Sequence, residues 1–276
     1  ILQWVQHYSS PGLGDDNLYD IALDNSGNVY VTGYTWIDNT AKYDCLTLKY
    51  NSSGVLQWSA KYNGPNLNDE GKSIAVDNNG NVYVTGKSDT TAAYSGIFIT
   101  IKYNSSGIQQ WVKRYPGVAG SDNSAVSIAL DNSANVYITG YNALNPNNLD
   151  YLTIKYNSNG SELWAARYNG TGNSFDIPKC LVLDSLGNVY VTGVSSSANS
   201  SDCLTLKYNS AGTLLWTARY NGSAGNNDGG NCIALDNSGN VFIAGSSIVS
   251  IAEDMLILKY SSGGVLQWEK TFNGTG

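Results

Sequence analysis

The chain has 276 residues, of which 42% are hydrophobic and only 13% charged, with 30 Gly, 20 Tyr, 7 Trp and a single Met. That mixture of turn formers and strand formers excludes long helices and coiled coils, and no stretch approaches the roughly 18 apolar residues that a membrane span needs. A net charge of −7 leaves no clustered cations for nucleic acid or anionic lipid, so neither nucleic-acid binding nor membrane insertion is expected.

The first patterned element is Ile21-Ala-Leu, a short alternating strand A. Asp24-Asn-Ser-Gly-Asn follows as a tight turn, in which Gly27 takes positive φ and the Asp24 carboxylate caps turn amides. Strand B is Val29-Tyr-Val-Thr, and strand C, after a variable loop, is Cys45-Leu-Thr-Leu-Lys-Tyr. A second turn, Asn51-Ser-Ser-Gly, leads into strand D, which carries Trp58.

This meander recurs along the chain. The turn aspartates Asp24, Asp77, Asp131, Asp184 and Asp236 are spaced by 53, 54, 53 and 52 residues. A Lys-Tyr pair recurs at Lys49, Lys102, Lys155, Lys207 and Lys259, and a tryptophan at Trp4, Trp58, Trp111, Trp164, Trp216 and Trp268. Four strands per period, apolar at nearly every strand position, describe a propeller blade buried on both faces. The expected fold is therefore all-β: one five-bladed β-propeller domain over residues 1–276, built from 52–54-residue four-stranded antiparallel repeats. Its repeat units are 1–54, 55–107, 108–160, 161–212 and 213–264, with an extra terminal strand at 265–276. The surplus arises because residues 2–8 and 265–272 both pattern as strand D, while five blades need only five such strands.

The run Asp-x-x-Gly-Asn-Val-Tyr-Val-Thr-Gly, then a strand ending Lys-Tyr-Asn-Ser-Ser-Gly, then a Trp strand, resembles the bacterial and archaeal β-propeller repeat family often called SBBP. The resemblance covers nearly the whole chain. It implies a propeller in exported or cell-surface proteins, mostly without assigned chemistry. The family name implies seven blades, whereas this chain carries five complete A-B-C units.

Eight residues before each turn aspartate stands Asp16, Asp69, Asn123, Asp176 or Asp228, and five before each Lys-Tyr lysine stands Asp44, Ile97, Asp150, Asp202 or Asp254. The starts of strands A and C lie at the same end of a meander, so both sets share one face. Strand C of one blade and strand A of the next then form carboxylate pairs: Asp44 with Asp69, Asp150 with Asp176, Asp202 with Asp228 and Asp254 with Asp16. The two non-acidic members, Ile97 and Asn123, fall in one pair. Adjacent carboxylates repel unless a cation, a shared proton or donor groups compensate, so Ca2+ is a candidate ligand and no cofactor is required. The competing reading is that these aspartates cap backbone amides.

Lys61, Arg114, Arg167 and Arg219 follow the strand-D tryptophans by three residues and are expected to guard an exposed edge. The repeated tryptophans are expected between blades, which leaves Trp36, outside the repeat, as the candidate ligand contact. Cys45, Cys180, Cys203 and Cys232 show no CxxC spacing and are expected as free buried thiols. Glu70, Glu162, Glu253 and Glu269 show no glycosidase-like spacing, and His7 serves no nucleophile motif. The expected role is a non-catalytic extracellular or cell-surface module for structure, adhesion or self-assembly, polymerising through a terminal strand. Its partners would be further copies of itself or a surface glycan or protein. A carbohydrate-binding propeller is the alternative, and a glycosidase-like enzyme a distant one.

Overall fold

The first hairpin of a sheet is set by its turn aspartate. Asp24 Oδ1 accepts the backbone N–H groups of Ser26 and Asn28, both at 2.9 Å, while Oδ2 accepts from the Asn28 amide at 2.7 Å and the Tyr30 hydroxyl at 2.9 Å. The arrangement returns at Asp77 and Asp184, and without the tyrosine contact at Asp236. Burial raises the Asp24 carboxyl, but the bonds from Asn28, Tyr30 and Ser26 together hold it below the usual carboxylate range.

The computed structural model describes residues 2–10, 14–37, 42–64, 68–90, 96–118, 120–145, 148–170, 174–197, 200–222, 225–248 and 253–273. Among them lie twenty strands and no helix. The first sheet orders β1 (Asn17–Leu23), β2 (Val29–Ile37), β3 (Lys42–Tyr50) and β4 (Leu56–Tyr62). The second orders β5 (Asp69–Val76), β6 (Val82–Asp89), β7 (Gly96–Tyr103) and β8 (Gln109–Tyr115). The third holds β9 (Ser124–Leu130), β10 (Val136–Asn145), β11 (Asn148–Tyr156) and β12 (Glu162–Tyr168). The fourth holds β13 (Asp176–Leu183), β14 (Val189–Ser196), β15 (Ser201–Tyr208) and β16 (Leu214–Tyr220). The fifth holds β17 (Asp228–Leu235), β18 (Val241–Ile248), β19 (Glu253–Tyr260) and β20 (Leu266–Phe272). Neighbouring strands pair antiparallel in sequence order.

The sheets are phased differently from the sequence units. Residues 266–272 complete the fifth sheet, with Met255 opposite Phe272 and Lys259 opposite Trp268, rather than standing as an extra strand. Residues 2–8 form no strand, so the surplus strand is not found among the described residues; 274–276 lie outside them.

The chain divides into two compact parts, residues 1–136 with 157–161, and residues 137–156 with 162–276. In the first part, β5 packs on β1, β2 and β3, and β9 packs on β5, β6 and β7. In the second, β13 packs on β11, and β17 packs on β13, β14 and β15. Tyr30, Cys45, Ile74, Val84 and Ile101 make one such core, and Tyr190, Cys203, Ile233, Ile243 and Leu258 another.

The tryptophans fasten one sheet to the next. Trp58 Nε1 donates to the Ser105 carbonyl at 3.1 Å, Trp111 to Ser158 at 3.2 Å, Trp164 to Ser210 at 3.1 Å and Trp216 to Ser262 at 3.1 Å. Each acceptor sits in the turn between the third and fourth strands of the following sheet. Trp4, outside any sheet, makes the same bond to Ser52 at 3.2 Å. The rings lie flat against the turn glycines: a Cβ on Gly107 would stand 2.7 Å from Trp58, and Gly107 has a φ of +81°. Only glycine meets both demands.

Candidate functional site

The aspartates at the strand starts are already employed; Asp69, Asp176 and Asp228 are buried and Asp16 is half-buried. Asp69 Oδ2 accepts the Gly64 N–H at 2.7 Å, Asp176 the Gly170 N–H at 2.6 Å and Asp228 the Gly222 N–H at 2.7 Å. Asp16 does the same for Ser10 at 2.7 Å. Each carboxylate thus closes the connection entering its own sheet. Asn123, standing where an aspartate is missing, donates its amide to the carbonyls of Gly96 at 2.8 Å and Ser121 at 2.9 Å.

Strand-C aspartates meet cations from the adjoining fourth strand. Arg167 Nη1 lies 3.1 Å from Asp150 Oδ2 and 2.6 Å from the Asn142 carbonyl. Arg219 Nη1 lies 2.6 Å from Asp202 Oδ2 and 3.1 Å from the Ser195 carbonyl. In the second sheet, where Ile97 replaces the aspartate, Arg114 turns instead to the Tyr62 hydroxyl and ring. These arginines are therefore not edge guards. The desolvated carboxylates of their own sheets draw Arg167 and Arg219 inward, and the Tyr62 hydroxyl and ring hold Arg114.

Two of the expected carboxylate pairs are electrostatically coupled. Burial first, and then the charge of Asp69, raises the Asp44 carboxyl. Burial likewise raises Asp150, and Asp176 adds to it against the pull of Arg167. Asp69 and Asp176 are themselves raised by burial. Asp202 and Asp228 both flank Cys203, while Asp16 and Asp254 belong to different parts of the chain. The Oδ1 atoms of Asp44, Asp69, Asp150 and Asp176 are buried without a hydrogen bond. No group of three or more His, Cys, Asp or Glu among the described residues is arranged to hold a metal ion.

Trp36 lies in an aromatic cluster at the end of the first sheet. Its ring centroid is 6.0 Å from Tyr43, Tyr43 is 4.6 Å from Tyr34, and Tyr34 is 5.8 Å from Tyr19. The Tyr43 hydroxyl donates to Glu70 at 2.7 Å, Glu70 pairs with Lys72, and Lys72 Nζ sits 3.8 Å over the Tyr19 ring.

Away from this end, an open groove of about 470 Å³ runs between the Asp184 and Asp236 turns, lined by Leu183, Leu186, Tyr190, Lys207 and Leu235. All four cysteines are free; Cys45 and Cys203 are buried, whereas Cys232 is exposed, against expectation. Burial pushes the Cys203 thiol up to about 12, which makes it unreactive.

Residues 3–39 and 57–91 match the SBBP beta-propeller repeat model. These two segments are similar to β-propeller repeats of the SBBP type. An uncharacterized WD repeat-containing protein of Acanthamoeba polyphaga mimivirus is 23% identical over 83% of this chain, which spans only 24% of that relative. Among solved structures, a polysaccharide lyase (ulvan lyase) aligns with a TM-score of 0.56 at 10% identity over 91% of this chain and 68% of its own. A eukaryotic initiation factor aligns at 0.51 and 10% identity over 93% of this chain and 55% of its own. A quinohemoprotein alcohol dehydrogenase of Pseudomonas putida HK5 aligns at 0.50 and 11% identity over 91% and 58%. At such identities the likeness is one of fold alone.

The arginine partners are what sequence reasoning missed. A constant interval held the signal: Asp44 and Lys61, Asp150 and Arg167, and Asp202 and Arg219 are each 17 residues apart.

Proposed function

We propose that this chain is a non-catalytic module of five propeller blades, for structure and adhesion, whose first and fifth blades join a second copy. The observation that carries this reading is an unequal burial of equivalent positions. Met255 and Ile257 are 61% and 47% exposed, whereas Cys45 and Thr47, at the same places in β3, are fully buried under the second sheet. In the first sheet Ile21 is 61% exposed, whereas its counterpart Ile74 is 5% exposed. Contiguous apolar faces of this kind favour association.

The two faces are complementary in shape. At two internal junctions a glycine nests over a threonine: a Cβ on Gly71 would stand 2.1 Å from Thr32 Oγ1, and one on Gly230 2.3 Å from Thr192 Oγ1. The first sheet carries Leu18 in place of Gly71, and the fifth carries Ala244 in place of Thr32. The larger residue and the smaller one compensate. The contact is heterologous, so it builds rings or open chains of subunits rather than an isologous dimer. Residues 2–8 take part by exchange, since Trp4 occupies on Ser52 the seat that Trp268 of another copy would take.

Native mass spectrometry and light scattering across a concentration series test the reading. Assemblies that grow with concentration are expected, with Ile257→Glu or Ile21→Glu reducing them to monomers and deletion of residues 1–8 changing the subunit number. A monomer at every concentration would end the proposal. Export to the cell surface belongs to the same reading and rests on the resemblance alone. Calcium enters it at Asp44 with Asp69 and at Asp150 with Asp176, where the two carboxylates act on each other electrostatically. A melting temperature unmoved by chelator removes calcium from the proposal.

A further inference from the structure

We propose that the aromatic cluster of the first sheet is a binding site for a neutral oligosaccharide, independently of any association between copies. The five sheets share one scaffold, so they report what that scaffold requires at each position. Trp36 stands opposite Tyr43 in the β2–β3 ladder. The same ladder position holds Asp89 opposite Gly96 in the second sheet, Ser196 opposite Ser201 in the fourth and Ile248 opposite Glu253 in the fifth. Tyr34, opposite Cys45, is matched by Lys87, Val194 and Ser246, and in the third sheet by Tyr141. Folding therefore asks for no aromatic residue at any of the three places. The first sheet nevertheless carries aromatics at all three, and Tyr19 extends the row.

The chemistry around the rings suits an uncharged pyranose. Aromatic faces offer apolar area at low entropic cost, on which the C–H face of a sugar ring lies. Tyr19 is exposed, and Tyr34, Trp36 and Tyr43 are each partly open to solvent. Hydrogen-bonding groups line the same edge: Glu70 accepts from Tyr43, and Asn68 Oδ1 accepts the Tyr43 N–H at 3.3 Å. Glu70 and Lys72 form an ion pair, so the site holds acceptors and donors for hydroxyl groups with no uncompensated charge between them. A few placed polar groups beside apolar walls are the usual composition of a small-ligand site.

The test is calorimetric titration of the intact protein with cellohexaose, maltohexaose, mannohexaose and chitohexaose, with hexagalacturonate as the acidic comparison, alongside tryptophan fluorescence. Binding of at least one neutral hexasaccharide with a shift in emission is expected. Combining Trp36→Ser with Tyr43→Ser installs the pair that the fourth sheet already carries as Ser196 and Ser201, so the fold is kept while binding falls at least tenfold. Trp268→Ala, which alters an exposed tryptophan on the fifth sheet, should leave affinity unchanged. The proposal is overturned if no neutral hexasaccharide binds at millimolar concentration, if only hexagalacturonate binds, or if the double replacement binds as well as the parent.

Discussion

Trp58 donates its indole N–H to the Ser105 carbonyl across 3.1 Å, and its ring covers Gly107, so one hydrogen bond and one aromatic face join two sheets at a single turn. Lys102 and Trp111 converge in the same way on the Ser158 carbonyl, at 3.0 and 3.2 Å. The Lys-Tyr and Trp landmarks of the repeat are thus two halves of one fastening. Trp58→Phe should cost about 1 kcal/mol through the lost hydrogen bond, and Trp58→Ala about 3 kcal/mol through lost packing as well. Trp268→Ala, at a ring that is 40% exposed, should cost under about 0.5 kcal/mol. Urea denaturation of the three variants checks the order; equal losses at Trp58 and Trp268 would refute the fastening role.

Ala134 is the one non-glycine residue with positive φ among the described residues, at 56°, in the turn where the other sheets place Gly27, Gly80, Gly187 and Gly239. A Cβ in that region is strained by roughly 1 kcal/mol, and the added freedom of glycine in the unfolded chain returns part of the gain. Ala134→Gly should therefore raise stability by about 0.5 kcal/mol. A lower melting temperature would show that the turn relaxes around alanine without strain.

Periodicity made the repeats, the turns and the buried aspartates legible, because each follows from local chemistry: Asp24 caps within four residues, and Asn123 replaces a carboxylate where Ile97 has lost its own. The phase of the sheets was not legible. Nothing local distinguishes residues 2–8 from 266–272, and only the ladder from Met255 to Phe272 assigns the fourth strand of the last sheet. Trp36 stood out in the sequence, but its neighbours Tyr43 and Tyr34 did not, since the variable connection between β2 and β3 hides which residues stand opposite one another. Arg167 was misjudged because an edge-strand cation is usually solvated, whereas here Asp150 and the Asn142 carbonyl hold it.

That partnership predicts a coupled loss. Arg167→Met leaves the fully buried Asp150 carboxylate without its cation and should cost about 3 kcal/mol at neutral pH. Adding Asp150→Asn removes the stranded charge, so the double variant should be more stable than Arg167→Met alone. Denaturant midpoints of the two single variants and the double variant complete the cycle. Additive losses would mean that the two side chains do not act on each other.

Asp44 gives the pH dependence a definite sign. Burial and the neighbouring Asp69 charge raise its carboxyl in the folded chain, so the native state binds the proton more tightly than the unfolded state does. The stabilisation from this group is fully present below the unfolded carboxylate value and is lost as the pH rises through the folded one. Asp44→Asn does not titrate there, so the variant should gain on the parent at pH 7 and lose that advantage as the solution is taken toward pH 3.5. Asp24 provides the opposite control: hydrogen bonds hold its carboxyl low, so its contribution is present at neutral pH and lost as the pH falls. Asp24→Asn should then be less stable than the parent at pH 7, with the deficit shrinking in acid. Urea midpoints of both variants and the parent, read at pH 7 and pH 3.5, decide it: an Asp44→Asn advantage that persisted unchanged at pH 3.5 would show that the carboxyl keeps no extra proton in the folded chain.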